Sequence, residues 1–444
     1  MTMIDTYRAD RHVFQPWGAQ DGGARLEITD GAGCWFSDAG GTRYLDLASQ
    51  LVYLNLGHRH PALIDAVHTQ ADRLCVVAPT FFNEVRDELA AALLDISGTG
   101  AGRVLFTNGG TEAVEHAVRM ARGHTGRAKI LAHYRSYHGA TAAAISISGD
   151  PRRWPNEPGV PGVVHFSGPY TYRSDFDATD DATECERALR HLERTIEFEG
   201  PHTVAAVILE SVVGTNGILV PPDGYLAGVR RLCDRHGIVL ICDEVMSGFG
   251  RVGEWFAYQR WNVRPDLVTF AKGVTSGYVP LGGVIVAEHI VESFSATPFP
   301  GGSTYSGHPL ACAVGVASVA QIAAGDLLTR ARTLGATALA PGLRALQQRH
   351  PSIGDVRGAG LFWALELVTD RDTKQPLAPL LPGRGGTEAM AAVAQSLREH
   401  RVWPMIVANR IHLAPPLIVS DDEVEFALGA LDHALDVADS YYRA

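Results

Sequence analysis

Lysine is nearly missing from this chain. Arginine supplies almost all of the 38 basic residues, and the only lysines are Lys129, Lys272 and Lys374. The six cysteines, Cys34, Cys75, Cys185, Cys233, Cys242 and Cys312, show no Cys-x-x-Cys spacing, which excludes a zinc knuckle or a disulfide framework and leaves reduced thiols packed as small apolar groups. No apolar run reaches membrane-spanning length, and residues 1–20 carry Asp5, Arg8, Asp10 and Arg11 with no apolar core of a leader, so a cytoplasmic protein is expected. The net charge of -11 is spread along the chain without a basic stripe, which excludes tracking a nucleic-acid backbone. A Gly-x-x-x-x-Gly-Lys-Ser/Thr loop is absent, as is a Gly-x-Gly-x-x-Gly after a strand, so neither a P-loop nor a dinucleotide site is supported. No cluster with metal-ligand spacing stands out, and no metal is expected.

What remains is a chain of 444 residues, 46% hydrophobic, long enough for two or three domains. From Arg103 to Ala287 short β-branched runs alternate with longer helical ones, the signature of an α/β layer around a mostly parallel sheet. Strands are expected at Val104 to Thr107, Ile130 to Ala132, Val204 to Leu209, Ile238 to Cys242, Leu267 to Ala271 and Gly283 to Val286, each nearly continuously apolar, as a sheet covered on both faces requires. Helices are expected at Thr111 to Arg122, with Ala113, Ala117 and Ala121 on one stripe, at Asp223 to His236, ended by Gly237, and at Leu310 to Ala324. Pro151 to Asp181 is rich in Pro, Gly and Asp and reads as a long surface excursion. A second α+β unit starts near Leu327, with strands at Gly360 to Val368 and Ile411 to Ala414. The expected organisation is an N-terminal segment 1–60 packed with a small C-terminal domain 326–444, and a large domain 61–325 between them.

Lys129 and Lys374 sit in contexts that read as solvated, whereas Lys272 follows the apolar run Leu267-Val268-Thr269-Phe270-Ala271, where an ammonium needs a purpose. Asp243 ends another apolar strand, at the carboxyl edge where open α/β sheets bind ligands. Asn108-Gly109-Gly110-Thr111 lies between a strand and a helix, where free N–H groups and the helix dipole can face an anion. A lysine to hold an aldehyde, a carboxylate to keep a pyridine nitrogen protonated and a cup for a phosphate are the three parts that pyridoxal phosphate (PLP) chemistry needs.

The segments Phe106-Thr107-Asn108-Gly109-Gly110-Thr111-Glu112-Ala113, Tyr137-His138-Gly139, Cys242 to Arg251, Phe270-Ala271-Lys272-Gly273 and Thr304 to Pro309 stand in an order and spacing that resemble the class III, fold-type I PLP-dependent aminotransferases of the ω-transaminase group. The resemblance covers nearly the whole chain. It implies a large domain with a mostly parallel seven-stranded sheet, a smaller α+β domain and a homodimer with shared active sites. Lys272 becomes the lysine that binds the cofactor and moves the substrate proton. Gly110 and Thr111 become phosphate donors, Tyr137 the ring that stacks on the pyridine with His138 beside it, Asp243 the partner of its nitrogen and Val245 the packing beneath it. Thr304 would reach the phosphate of the neighbouring subunit, and Glu210 takes a supporting place near the cofactor, with Ser211 where the family usually has proline.

Substrate choice is carried by fewer residues. The glutamate and arginine that form a switchable pair in the ornithine and γ-aminobutyrate branches match Thr215 and His412, a departure that argues against those branches, and the arginine of many amine:pyruvate enzymes is replaced near Met405. Alternation along Asn409 to Pro416 puts Arg410 and His412 on one face, from which Arg410 is a candidate for holding a carboxylate or sulfonate. Leu51, Val52 and Tyr53, with Phe81 and Phe82, resemble pocket-lining segments. The expected reaction is ping-pong transfer from an amine or ω-amino acid, taurine-like and β-amino acid donors included, to a keto acid, with pyruvate preferred over 2-oxoglutarate. A lyase, decarboxylase or aminomutase on the same scaffold is the alternative.

Overall fold

Seven strands that are almost wholly apolar meet in one sheet, and their burial explains their composition. They are β1 (Gly102–Thr107), β2 (Lys129–His133), β3 (Val163–Phe166), β4 (Val204–Glu210), β5 (Val239–Asp243), β6 (Leu267–Phe270) and β7 (Gly282–Ala287), in the spatial order β1-β7-β6-β5-β4-β2-β3. Every residue of β4, β5, β6 and β7 is buried, because helices cover both faces and no strand face meets water. Pairing is parallel from β6 through β3, and β7 runs antiparallel to both of its neighbours. The computed structural model describes residues 7–8, 12–20, 25–381 and 385–443; Asp5, Asp10 and Arg11 lie outside them.

Helix α1 (Gly110–Thr125) buries the stripe Ala113, Ala117 and Ala121 against the sheet and ends at Gly126, whose φ of 67° places it in the left-handed region. Helix α2 (Asp181–Glu199) packs on helix α3 (Tyr225–His236), which begins two residues later than expected and stops before Gly237. Helix α4 (Pro309–Ala324) lies on the helices Pro61–Arg73 and Glu84–Ser97, its small residues permitting the close approach. Among the described residues no single helix is long and apolar enough to cross a membrane.

Two expectations need correction. The stretch Pro151 to Asp181 is not only surface excursion: it contributes β3, the edge strand of the main sheet. Four residues between proline and glycine give too short an apolar run to stand out. Lys129 and Lys374 are also not freely solvated. Lys129 Nζ donates to Glu199 O at 2.8 Å and Oε2 at 2.7 Å, and Lys374 Nζ donates to Tyr172 O at 2.8 Å.

A second sheet is built from β8 (Ile353–Ala359), β9 (Phe362–Asp370), β10 (Met405–Val407) and β11 (Arg410–Leu413), in the order β8-β9-β11-β10. The N-terminal chain joins this C-terminal part covalently remote from it: Arg43–Asp46 pairs in parallel with Val402–Trp403, and Trp35 Nε1 donates to Glu423 Oε1 at 2.6 Å. Arg251, wholly buried, ties the regions together. Its guanidinium donates to Asn55 Oδ1 at 2.6 Å, to Leu361 O at 3.3 Å and to Pro415 O.

Glu366 on β9 clasps the excursion to the second sheet. It accepts from Arg173 Nε at 2.5 Å, from Arg357 Nη2 at 2.8 Å and from the Tyr170 hydroxyl. Burial alone would raise its pKa, but Arg357, the Tyr170 hydrogen bond and Arg173 outweigh it and hold the carboxyl at about 2, below the ordinary 4.5. A depressed acid stabilises the fold fully above its unfolded pKa and loses that contribution as pH falls. The stability difference between wild type and Glu366→Gln, measured by urea unfolding, is therefore expected to be constant above pH 4.5 and to shrink as pH falls toward 2; a difference independent of pH over that window would show that the carboxyl is not held down.

Candidate active site

Strand register assembles the acid side of the site. Asp243, last residue of β5, lies opposite Glu210 of β4 and Thr269 of β6, so three side-by-side strand ends meet at one edge. Two residues past β6, after Ala271, comes Lys272, whose φ of 47° is a left-handed conformation that a lysine rarely adopts and that sets where its side chain leaves the sheet. Asn108, Gly109, Gly110 and Thr111 close the opposite side. Glu210, Asp243, Lys272 and Asn108 to Thr111 line one cavity of about 440 Å³, together with Tyr53, Tyr137, His138, Gly139, Thr215, Val245 and Met246.

Hydrogen bonds fix the carboxylates. Asp243 Oδ2 lies 2.6 Å from His138 Nδ1, and Oδ1 accepts from Val245 N at 3.1 Å. Because the carboxylate only accepts, His138 carries its proton on Nδ1, and its buried Nε2 has no protein partner among the described residues. Glu210 accepts from Tyr137 N at 2.9 Å and from Gly214 N at 2.8 Å. Burial pushes its carboxyl up to about 7; the His138 ring opposes the rise, and Asp243 adds to it. Lys272 has its pKa lowered, first by desolvation; Asp243 and Glu210 act against the shift and Arg152 acts with it. A lysine shifted in this direction more readily offers the free amine needed to attack or take a proton.

The phosphate end is a helix terminus left open. Gly109 at the start of α1 gives no side-chain cap, and the first N–H groups of α1, at Gly110, Thr111 and Glu112, have no helical acceptor, so donors and dipole converge on the cavity. Glycine is required at two points. A Cβ on Gly110 would lie 2.8 Å from a methyl of Val245, and Gly139, at φ 134°, would drive a Cβ to 2.3 Å from Thr111 Oγ1. An uncapped donor cluster, a buried hydrogen-bonded carboxylate across the cavity and a lysine between them fit a PLP molecule: phosphate at α1, ring nitrogen at Asp243, aldehyde at Lys272.

The structure thus brings together Gly110, Thr111, Tyr137, His138, Glu210, Asp243, Val245 and Lys272, with Tyr53 at the wall. It does not bring in three others. Arg410 is 6% exposed, donates to Asn216 O at 2.5 Å and to Val407 O at 3.3 Å, and lines a separate cavity of about 950 Å³. The side of β11 that carries Arg410 meets Asn216 and this separate cavity and does not line the cavity of the lysine, which corrects the sequence expectation; β alternation pairs residues on a face without saying what that face meets. Phe82 is 81% exposed and Thr304 is exposed, and neither lines the cavity of its own chain. Two contacts escaped the sequence reading altogether. Arg152 lies with its guanidinium carbon 3.6 Å from the centre of the Tyr137 ring, and Trp17 meets the same ring edge-on at 6.2 Å. Their only signal was an arginine pair within Pro151-Arg152-Arg153-Trp154-Pro155, and a Trp within a segment lacking periodicity.

The chain is similar to known proteins over nearly its whole length. The sequence pattern of the class-III aminotransferases matches residues 18–435. A taurine:2-oxoglutarate aminotransferase from Bifidobacterium kashiwanohense, solved with PLP and glutamate, superposes with a TM-score of 0.93 at 42% identity, over 97% of this chain and 96% of that one. An acetylornithine aminotransferase of Methanopyrus kandleri is 36% identical over 98% of each chain, and a taurine–pyruvate aminotransferase of Bilophila wadsworthia is 34% identical over 93% of this chain and 92% of its own.

Replacing the lysine isolates its part. Lys272→Ala is expected to retain the wild-type circular dichroism and to lose both the visible absorbance of lysine-bound cofactor and at least about 1000-fold in turnover, the scale of losing a nucleophile and proton carrier together. Turnover within tenfold of wild type would remove Lys272 from the chemistry.

Proposed function

We propose that this chain, which belongs to the class-III aminotransferases and uses their cofactor pyridoxal phosphate, transfers the amino group of an ω-amino acid or amine of the taurine or β-amino acid type to pyruvate in two half-reactions. The observation that carries the chemistry is the convergence of Lys272, Asp243 and the open end of α1 on one cavity. When bound, the cofactor supplies an electron-withdrawing ring that makes the proton on the substrate carbon labile. The protein does the rest. Gly110 and Thr111 would hold the cofactor phosphate through N–H groups and the hydroxyl. Asp243, oriented by His138, would keep a proton at its pyridine nitrogen. Tyr137 and Val245, which line the cavity, would pack against its ring. Lys272 Nζ, with its pKa lowered, is the group that would take and return the proton of the substrate carbon.

The donor class rests on three supports. Two relatives act on taurine by name, one with pyruvate and one with 2-oxoglutarate. Thr215 lines the cavity where the ornithine and γ-aminobutyrate branches place a glutamate. Tyr53 and Met246 make part of the wall apolar. A donor screen decides: taurine, β-alanine and simple amines, mixed singly with the enzyme, are expected to bleach the cofactor absorbance, and pyruvate to restore it. Bleaching by no amine, or release of ammonia without any keto acid, would overturn the transfer reading.

We further propose a homodimer in the cytoplasm. Five of the six cysteines are buried and unpaired, which suits a reducing compartment. Val76, Phe81, Phe82 and Tyr305 are exposed on the single chain, and apolar surface of that extent calls for a partner. Thr304 is exposed and outside its own cavity, which leaves it free for the place the family resemblance gives it, at a neighbour's phosphate. Sedimentation is expected to give a particle of two chains, and Thr304→Val to weaken cofactor binding about tenfold, the loss of one hydrogen bond to a charged group; a monomer with full activity would refute both.

A further inference from the structure

The separate cavity of about 950 Å³ that Arg410 lines is walled by residues of the excursion and of the second unit. Its size is at the upper end of the range for small-molecule sites. It shares no lining residue with the cavity of Lys272, so a molecule held there is not the amino donor. The wall is basic, in a chain whose net charge is -11: among the described residues Arg135, Arg153, Arg173, Arg410 and Arg443 line it, against the single acid Glu366. That acid is already shared by Tyr170, Arg173 and Arg357, so the clasp uses Arg173 alone of the five. The arginines keep unused donors. Arg153 Nε and Arg173 Nη2 are buried without a hydrogen-bond partner among the described residues. The Arg135 guanidinium carbon stands 5.0 Å from the centre of the Tyr170 ring, yet its nitrogen meets Asp175 only at 3.9 Å. The exposed Arg443 side chain has no partner among the described residues. Burial lowers the pKa of Arg410 to about 10, Arg357 and Arg135 add to the fall, and Glu366 and Tyr170 do not offset it. Negative charge is short on this wall.

We propose that this cavity binds an organic diphosphate, a ligand with at least two negative charges on an aromatic body, as in a nucleoside diphosphate. The charge requirement follows from where the arginines come from. Arg153 and Arg173 belong to the excursion, Arg135 follows β2, and Arg410 and Arg443 belong to the second unit. A single carboxylate engages one or two guanidinium forks, whereas two linked phosphates present oxygens to several at once. The aromatic requirement follows from the rest of the lining. Trp154, in the same wall, is 48% exposed and its ring has no partner among the described residues. A planar base can lie offset against it. Residues 376–381, all apolar, supply the dry part of the cavity. The inference stands beside the aminotransferase reading and does not depend on it.

Isothermal titration calorimetry on the cofactor-loaded enzyme, in which a phosphate already fills the end of α1, tests it. ADP is expected to bind and to leave the absorbance of lysine-bound cofactor unchanged. Pyrophosphate is expected to bind about 3- to 10-fold more weakly for want of the stacked ring, and adenosine not to bind measurably. The double variant Arg135→Gln/Arg443→Gln, at two positions outside the Glu366 clasp, is expected to weaken ADP about 10- to 100-fold. Trp154→Ala is expected to bring ADP down to the affinity of pyrophosphate and to leave pyrophosphate itself unchanged. ADP that fails to bind the wild type, that displaces the cofactor absorbance as it binds, that binds the double variant with wild-type affinity, or that binds no better than pyrophosphate overturns the proposal.

Discussion

Parallel register is the constraint on which the site depends. In a parallel sheet all strands point their carboxyl ends the same way, and β4, β5 and β6 are aligned so that Glu210, Asp243 and Thr269 fall in one row. Two carboxylates beside each other at a buried edge repel, and the structure relieves this unequally. Asp243 is paired with the His138 ring, while burial drives Glu210 up to about 7 against the pull of its two backbone N–H donors, so that a proton can reside there. The lysine enters the same row one step later. Its basicity is lowered by enclosure and partly restored by the two acids, a balance suited to an amine that must both bind and release a proton.

Around that row the chain spends conformational freedom where chemistry needs it. Lys272 holds a left-handed backbone, Gly139 does so beside Thr111, and Gly110 gives up its side chain so that Val245 can reach the cavity floor. The open end of α1 is the complementary device: no side chain caps it, which leaves its first N–H groups free for an anion. Arg251 then holds the site as a unit, since its hydrogen bonds run to the N-terminal segment at Asn55 and to the second unit at Leu361 and Pro415. One buried guanidinium is thus shared among regions far apart in sequence.

The same regions show where a linear reading succeeds. Six of the seven main strands were visible because a sheet covered on both faces demands unbroken apolar runs, and Val204–Glu210 is the plainest of them. β3 was hidden, being a four-residue edge strand inside a loop-like composition. Lys272 and Asp243 were legible because each polar group ended an apolar run. Arg152 was not, since an arginine in a turn rich in proline is ordinary until Tyr137 and Asp150 are seen to grip it.

Arg410 marks the boundary between the two kinds of knowledge. Its alternation with His412 was correct, and both are buried on β11, yet the face they share is closed by Asn216 and the second unit. The sequence by itself determined the family, the cofactor and the residues at strand ends, because local hydrophobic patterns and short motifs encode them within a few positions. Tertiary structure alone decided which side chains meet around Tyr137. Residues 137, 150, 152 and 216 are brought into contact only when the excursion folds over the ends of β2 and β4, and no local pattern records a meeting between segments so far apart.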